Sequence, residues 1–246
     1  MSGAIQITVT RTAGSVPREA GTQMLVWADR TEGTIGGGTL EWEAMAEARR
    51  MLGEGRDSFQ ATYPLGPRLG QCCGGSVTLQ YCATDVLDEP ARRPLWIYGA
   101  GHVGRAIVNV MAPLPQFEIT WVDTSADRFP DTQVTTLVAA NPTLATRHAS
   151  DDADHLILTY SHELDLALCH ALLSRDFGSV GLIGSATKWA RFRRRLATLG
   201  HSPEQISRIA CPIGDPSLGK HPAEIALGVA TAMMTGGIGV QRTAAG

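Results

Sequence analysis

The stretch Leu95-Trp96-Ile97-Tyr98-Gly99-Ala100-Gly101-His102-Val103-Gly104, followed by the apolar run Ile119-Thr120-Trp121-Val122 and then Asp123, constrains this chain more than any other feature. A short apolar strand enters Gly-x-Gly-x-x-Gly, a helical pattern follows, and an acid closes the next apolar run 19 residues after the third glycine. This is the order of elements in a dinucleotide-binding unit. Gly99 allows the turn, Gly101 allows backbone to approach a pyrophosphate, and Gly104 allows helix and strand to pack closely. His102 sits at the strand end, and Asp123 is placed to meet a ribose hydroxyl. The same turn also serves helix–sheet packing without a ligand, because fold alone does not settle function.

From residue 95 onward, apolar runs near 95–98, 119–122, 134–138, 155–160 and 180–184 alternate with helical patterns near 103–112, 163–175, 187–199 and 221–235. The alternation predicts a parallel, Rossmann-like sheet covered by helices on both faces. The polar segment 83–94, with two prolines, reads as a linker. Before it, strands are expected at 4–10, 22–28 and 76–82 and a helix at 39–52. The fold class is therefore α/β, with a smaller N-terminal α+β domain (1–84) and a C-terminal Rossmann-like domain (94–246).

With 43% hydrophobic and 18% charged residues and a formal charge of −3, the chain has an ordinary globular composition and no basic footprint for nucleic acid. No charged start leads into an apolar leader, so the reading places the protein in the cytoplasm. Leu227–Val240 is too short to span a membrane and reads as a buried helix and its exit. Five cysteines, an odd number, point to reduced thiols.

The first eighty residues hold three glycine-rich loops. Gly36-Gly37-Gly38 precede a helix, so free amides there would suit a phosphate or carboxylate; the other reading is a tight turn capped by Thr39. Arg18, after a proline, offers a forked contact to an oxyanion. Glu41 needs no role beyond complementing the helix dipole. Gly70-Gln71-Cys72-Cys73-Gly74-Gly75 holds two adjacent thiols among backbone donors, a setting for thiolate chemistry or soft-metal contact, or else two small residues in a tight loop. Cys82, Cys169 and Cys211 read as small apolar residues. In the second domain, His102, Asp123, Ser161-His162-Glu163 and Gly184-Ser185 all fall at the carboxyl ends of strands, where such sheets gather ligands. Ser161 reads as a helix cap with Asp165 in the first turn. Lys188, Arg191, Arg193, Arg194 and Arg195 read as a solvated basic face.

Taken together, these stretches resemble the XdhC/CoxI family of xanthine dehydrogenase accessory proteins. The resemblance is carried by Gly14-Ser15-Val16-Pro17-Arg18, Gly36-Gly37-Gly38 with Leu40-Glu41, the paired-cysteine loop, and Gly99 to Gly104. Thr159-Tyr160-Ser161-His162, Gly181 to Ser185 with Lys188, and Pro212-Ile213-Gly214 extend it over nearly the whole chain. It implies a non-catalytic chaperone that binds molybdenum cofactor, holds it during sulfuration by a cysteine desulfurase, and delivers it to apo-xanthine dehydrogenase or a related molybdoenzyme. It further implies a homodimer. By analogy Cys72 and Cys73 meet the metal or sulfur, and Gln71, Arg18 and Gly36 to Gly38 touch the cofactor. Gly99, Gly101, His102, Gly104 and Asp123 remain open to NAD(P) or to a dinucleotide form of the cofactor. The competing expectation is an NAD(P)-dependent oxidoreductase with His102 or His162 as its acid.

Overall fold

The computed structural model describes residues 3–66, 74–84 and 92–236. The chain divides into two compact units, Met1–Glu89 and Pro90–Gly246.

Among the described residues the N-terminal unit is an antiparallel sheet of five strands carrying one helix. β1 (Ile5–Ala13), β2 (Gln23–Val26), β3 (Thr31–Gly33), β4 (Ser58–Pro64) and β5 (Ser76–Ala83) lie in the order β3-β2-β1-β5-β4. Alternation decides the faces: Ile5, Ile7 and Val9 of β1 and Val77, Leu79 and Tyr81 of β5 are buried together. Helix α1 (Gly38–Glu54) covers that face with Leu40, Ala44, Met45, Ala48 and Met51, a stripe at helical spacing. It ends where Gly55 turns left-handed and its N–H reaches the Met51 carbonyl. β3 and β4 were not expected from the sequence. They are the two edges: β3 is exposed throughout, and β4 half-buries only its alternate residues Phe59, Ala61 and Tyr63.

The C-terminal unit is a six-stranded parallel sheet. Its strands are β6 (Arg93–Tyr98), β7 (Phe117–Asp123), β8 (Thr135–Val138), β9 (Asp154–Ile157), β10 (Ser179–Leu182) and β11 (Ile209–Ala210), in the order β11-β10-β9-β6-β7-β8. This is the doubly wound arrangement in which the chain direction across the sheet reverses between β6 and β9. Side chains of the central strand β6 alternate between two cores. Leu95 and Ile97 pack with α2 (His102–Met111) and α7 (Pro222–Thr235), while Trp96 and Tyr98 pack with α4 (His162–Leu173) and α5 (Ala186–Thr198). Burial on both faces explains why β6 reads as a continuous apolar run. Two short helices, α3 (Pro142–Ala145) and α6 (Pro203–Ser207), complete the unit. The two-residue strand β11 has too little sequence to announce itself. Helix α7 buries one face only: Ala226, Val229 and Met233 are inside, whereas Leu227 and Met234 are exposed. No helix among the described residues is long and apolar enough to cross a membrane.

Candidate functional site

At the carboxyl ends of β6, β7, β9 and β10 lies a cleft of about 520 Å³, lined among others by Gly101, His102, Asp123, Arg128, His162 and Lys188. Its size is that of a small-molecule site. The glycine loop at its floor divides the labour as the motif requires. Gly99 has φ +117°, and a Cβ there would overlap the Leu158 carbonyl, whose carbon would be 2.8 Å away, so only glycine fits where β6 and β9 part. Gly104 packs α2 against the loop so closely that a Cβ would overlap the Gly99 carbonyl oxygen. Gly101, between them, faces open space, with no atom within 4 Å of a would-be Cβ. The Gly99 carbonyl is itself held by the buried Trp121, whose Nε1 donates to it at 3.0 Å.

Asp123 ends β7 and lines the cleft, but it is only 4% exposed and its oxygens are engaged within the protein. Oδ2 accepts from the Ala100 amide at 2.5 Å, and Oδ1 accepts from the Thr124 amide at 2.6 Å and pairs with Arg128 Nε at 3.1 Å. The acid therefore fixes the glycine loop to the end of β7. Arg128, which sequence reasoning missed, follows in a 3₁₀ turn (Ala126–Arg128), and its guanidinium lies 4.9 Å from the Tyr160 ring centroid.

A second pair emerges at the other side of the cleft. Lys188 Nζ donates to Asp165 Oδ2 at 2.6 Å and to the Ile183 carbonyl at 2.8 Å, and the Asp165 and Lys188 side chains are 1% and 13% exposed. Asp165 Oδ1 accepts from the Thr159 amide and hydroxyl at 3.0 and 2.7 Å. This corrects the expectation of a solvated face at Lys188 and of Asp165 as a dipole-complementing acid. The two form a buried ion pair that ties the β9 exit to the β10–α5 turn. Ser161 caps α4 as expected, accepting from the Leu164 amide at 3.4 Å, and Ser185 caps α5 through the Lys188 amide at 3.2 Å. His102, His162, Gly184 and Ser185 line the same cleft. Burial raises the Cys211 thiol to about 11 and the Cys169 thiol further, so neither is a thiolate near neutral pH.

In the N-terminal unit the glycine loops converge. A Cβ on Gly75 would stand 2.5 Å from the Ala13 carbonyl oxygen and 3.1 Å from the Ser15 carbonyl carbon. One on Gly36 would stand 2.9 Å from Pro17 and 3.3 Å from Arg18 Cγ. Arg18, Gly36 and the return of the chain from the cysteine loop thus share one end of the sheet. Gln71, Cys72 and Cys73 themselves lie outside the described residues.

The amides of Gly36 and Gly37 are not free for an external anion, contrary to expectation. Glu41 Oε2 accepts from Thr34 Oγ1 at 2.5 Å, Ile35 N at 3.0 Å and Gly37 N at 3.1 Å, and Gly36 N donates to Thr34 Oγ1 at 3.2 Å. The chain's own carboxylate fills the nest. Burial works to raise the Glu41 pKa, but the hydrogen bonds from Thr34 and the loop amides outweigh it and the net shift is downward. Glycine rather than Thr39 stands at the cap: α1 begins at Gly38 after Gly37, with φ +67° and +74°.

Strand order, glycine geometry and cleft together define an α/β protein in which a small antiparallel unit precedes a nucleotide-type Rossmann unit in the chain. Residues 95–233 match the family described as the XdhC Rossmann domain and residues 3–64 the XdhC and CoxI family. The chain belongs to the XdhC/CoxI family. It is 31% identical over 227 residues to YqeB, an uncharacterized protein of Escherichia coli K12, covering 88% of this chain and 40% of YqeB. The chain thus spans about 40% of the length of that curated relative. A Bacillus halodurans crystal structure described as a xanthine dehydrogenase shares the fold, with a TM-score of 0.77 at 18% identity over 94% of this chain and 90% of that one.

Proposed function

We propose that this protein is a maturation factor for a molybdenum hydroxylase of the xanthine dehydrogenase type, acting in the cytoplasm as a homodimer without turnover of its own. It binds molybdenum cofactor, holds it during sulfuration by a cysteine desulfurase, and passes it to the apoenzyme. The observation that carries this reading is the match of both units to the XdhC/CoxI family. The donor set fits the group. An anionic, phosphorylated pterin suits the forked guanidinium of Arg18 beside the Gly36 loop. A soft metal suits the thiols of Cys72 and Cys73.

When bound, the cofactor would supply the metal centre that takes up sulfur, with Cys72 and Cys73 as the residues that would hold it. The chain's own contribution is to hold and orient. Arg18 stands at the glycine-loop end of the N-terminal sheet, where its guanidinium can fork onto an oxyanion. Glu41 keeps the Ile35–Gly37 loop in the shape that Arg18 packs against. Because Glu41 occupies the nest amides, we assign phosphate recognition to Arg18 rather than to Gly36 and Gly37.

The test is anaerobic mixing with molybdenum cofactor, followed by measurement of retained molybdenum and pterin for the wild type, Cys72→Ala and Cys73→Ala. Stoichiometric retention that either substitution abolishes supports the reading. Failure of the wild type to retain cofactor, together with nicotinamide-dependent turnover lost in His102→Ala or His162→Ala, would replace it with an oxidoreductase.

A further inference from the structure

We infer that the C-terminal cleft is a binding site for a dinucleotide of the NADP class, with Arg128 as the residue that selects for a phosphate on the adenosine ribose. In a sheet of this order the pyrophosphate lies at the glycine loop. The ribose lies at the end of the neighbouring strand, where an acid takes the free 2′-hydroxyl or a nearby arginine takes a 2′-phosphate. Both residue types are present here, and their geometry decides between them.

Asp123 has the right position for the hydroxyl but not the free capacity. It is buried, and the amides of Ala100 and Thr124, the Thr124 hydroxyl and Arg128 Nε already surround its two oxygens. Oδ1 already meets three donors, and Oδ2, which holds the glycine loop through Ala100, is buried with it, so the carboxylate offers a ribose hydroxyl almost no exposed surface. Arg128 is in the opposite condition. It spends Nε on Asp123 and one face on Tyr160, while its two terminal nitrogens have no acceptor among the described residues. Its side chain is one-third exposed and lines the cleft.

The guanidinium is also pre-positioned. Arg105 reaches from α2 to the Ala100 carbonyl through Nε at 3.0 Å and to the Arg128 carbonyl through Nη2 at 2.7 Å. The 3₁₀ turn that carries Arg128 is thereby fastened to the glycine loop. A planar cation with unused paired donors, held at the ribose end of the cleft, is matched to a phosphate dianion, and Lys would not reproduce that fork. Among the lining residues Arg128, Lys188 and Arg191 outnumber Asp123 and Asp165, and the Lys188–Asp165 pair is internally neutral, so the surplus charge facing a ligand is positive.

This site goes beyond the maturation role and is tested with a different ligand. Isothermal titration of the full chain at physiological ionic strength would compare NADP+ with NAD+, and 2′,5′-ADP with 5′-AMP. We expect each 2′-phosphorylated probe to bind at least about tenfold more tightly than its partner, about 1.4 kcal/mol in each comparison. Arg128→Ala should erase the preference while leaving NAD+ affinity within about threefold, and Arg128→Lys should restore only part of it. Gly101→Val, whose side chain would enter the ligand space rather than the protein, should abolish binding of both dinucleotides with normal thermal unfolding. Equal or tighter binding of NAD+, a preference that survives Arg128→Ala in a folded protein, or no dinucleotide binding at millimolar concentration would overturn the inference.

Discussion

Gly101 and Gly104 are three residues apart in one motif, yet the structure assigns them opposite sensitivities to a single methyl group. A Cβ on Gly104 would overlap the Gly99 carbonyl oxygen and stand 3.0 Å from Leu158 Cδ1 and 3.1 Å from the Gly99 carbonyl carbon. The leucine can turn away, but the carbonyl cannot. It accepts from Trp121, and Gly99 is itself wedged against the Leu158 backbone. Carbon atoms pack at about 3.5–4.0 Å and the oxygen overlap is tighter still, so α2 would have to retreat by roughly 1 Å or more. That retreat loosens Ile107, Val108 and Met111, all buried. Overpacking against backbone belongs at or above the top of the usual range of about 1–3 kcal/mol, and the helix propensity gained from Gly to Ala returns only about 1 kcal/mol. The net cost of Gly104→Ala is about 2 kcal/mol or more, a fall of roughly 4–8 °C in Tm for a unit of this size. Gly101 sits at φ −74° and ψ −175°, which any residue adopts, and meets nothing. Gly101→Ala should therefore cost less than about 1 kcal/mol, the difference between glycine and alanine at a helix cap. Urea denaturation followed by far-UV circular dichroism would measure both. Equal stabilities, or a Gly104→Ala protein stabilised by its helix propensity, would refute the packing argument.

Three further outcomes follow from buried or captured charge. Lys188→Met leaves the Asp165 carboxylate buried without its cation, and should cost about 3–5 kcal/mol in chemical denaturation, with much of the loss recovered in the double variant Asp165→Leu, Lys188→Met. His155 is fully buried, with its ring stacked on Tyr98, and burial together with Arg175 lowers its pKa to about 3. The unfolded chain takes up a proton there below about pH 6.5 and the folded chain does not. Its contribution is thus complete above that pH and falls away by about 1.4 kcal/mol per unit on acidification toward 3, and His155→Asn should flatten that part of the stability profile. Glu41→Ala should free the amides of Ile35 and Gly37 and speed their hydrogen exchange, at a cost of about 1 kcal/mol for a half-buried acceptor. Because the Glu41 pKa is lowered on folding, the difference from wild type should be full above its ordinary value near 4.5 and shrink as the pH falls through the folded value.

The parallel sheet and its glycine loop were legible because their rules are local. Strand, turn and helix each announce themselves within ten residues, and the order of elements leaves few ways to wind the sheet. The edge strand β3 was not legible, since its three residues are all exposed, and β4 was missed although Phe59, Ala61 and Tyr63 alternate with polar neighbours, because its inward face is only half-buried. The site was only half legible. His102, Asp123, His162 and Gly184 could be placed at strand ends from order alone, and they do line one cleft.

What the sequence determined by itself, then, is the class of fold and which residues stand together at the strand ends, because glycine spacing and apolar periodicity act over short distances. What only the tertiary structure decided is which charges are free. Asp165 and Lys188 are 23 residues apart, Glu41 looks like an ordinary first-turn acid, and Arg128 belongs to no motif. The fold closes the first two on each other, turns Glu41 into the anion of its own glycine nest, and engages Asp123 while leaving the end of Arg128 open. A side chain's chemistry is written in its identity, but its availability depends on what packs beside it. Those neighbours come from distant parts of the chain.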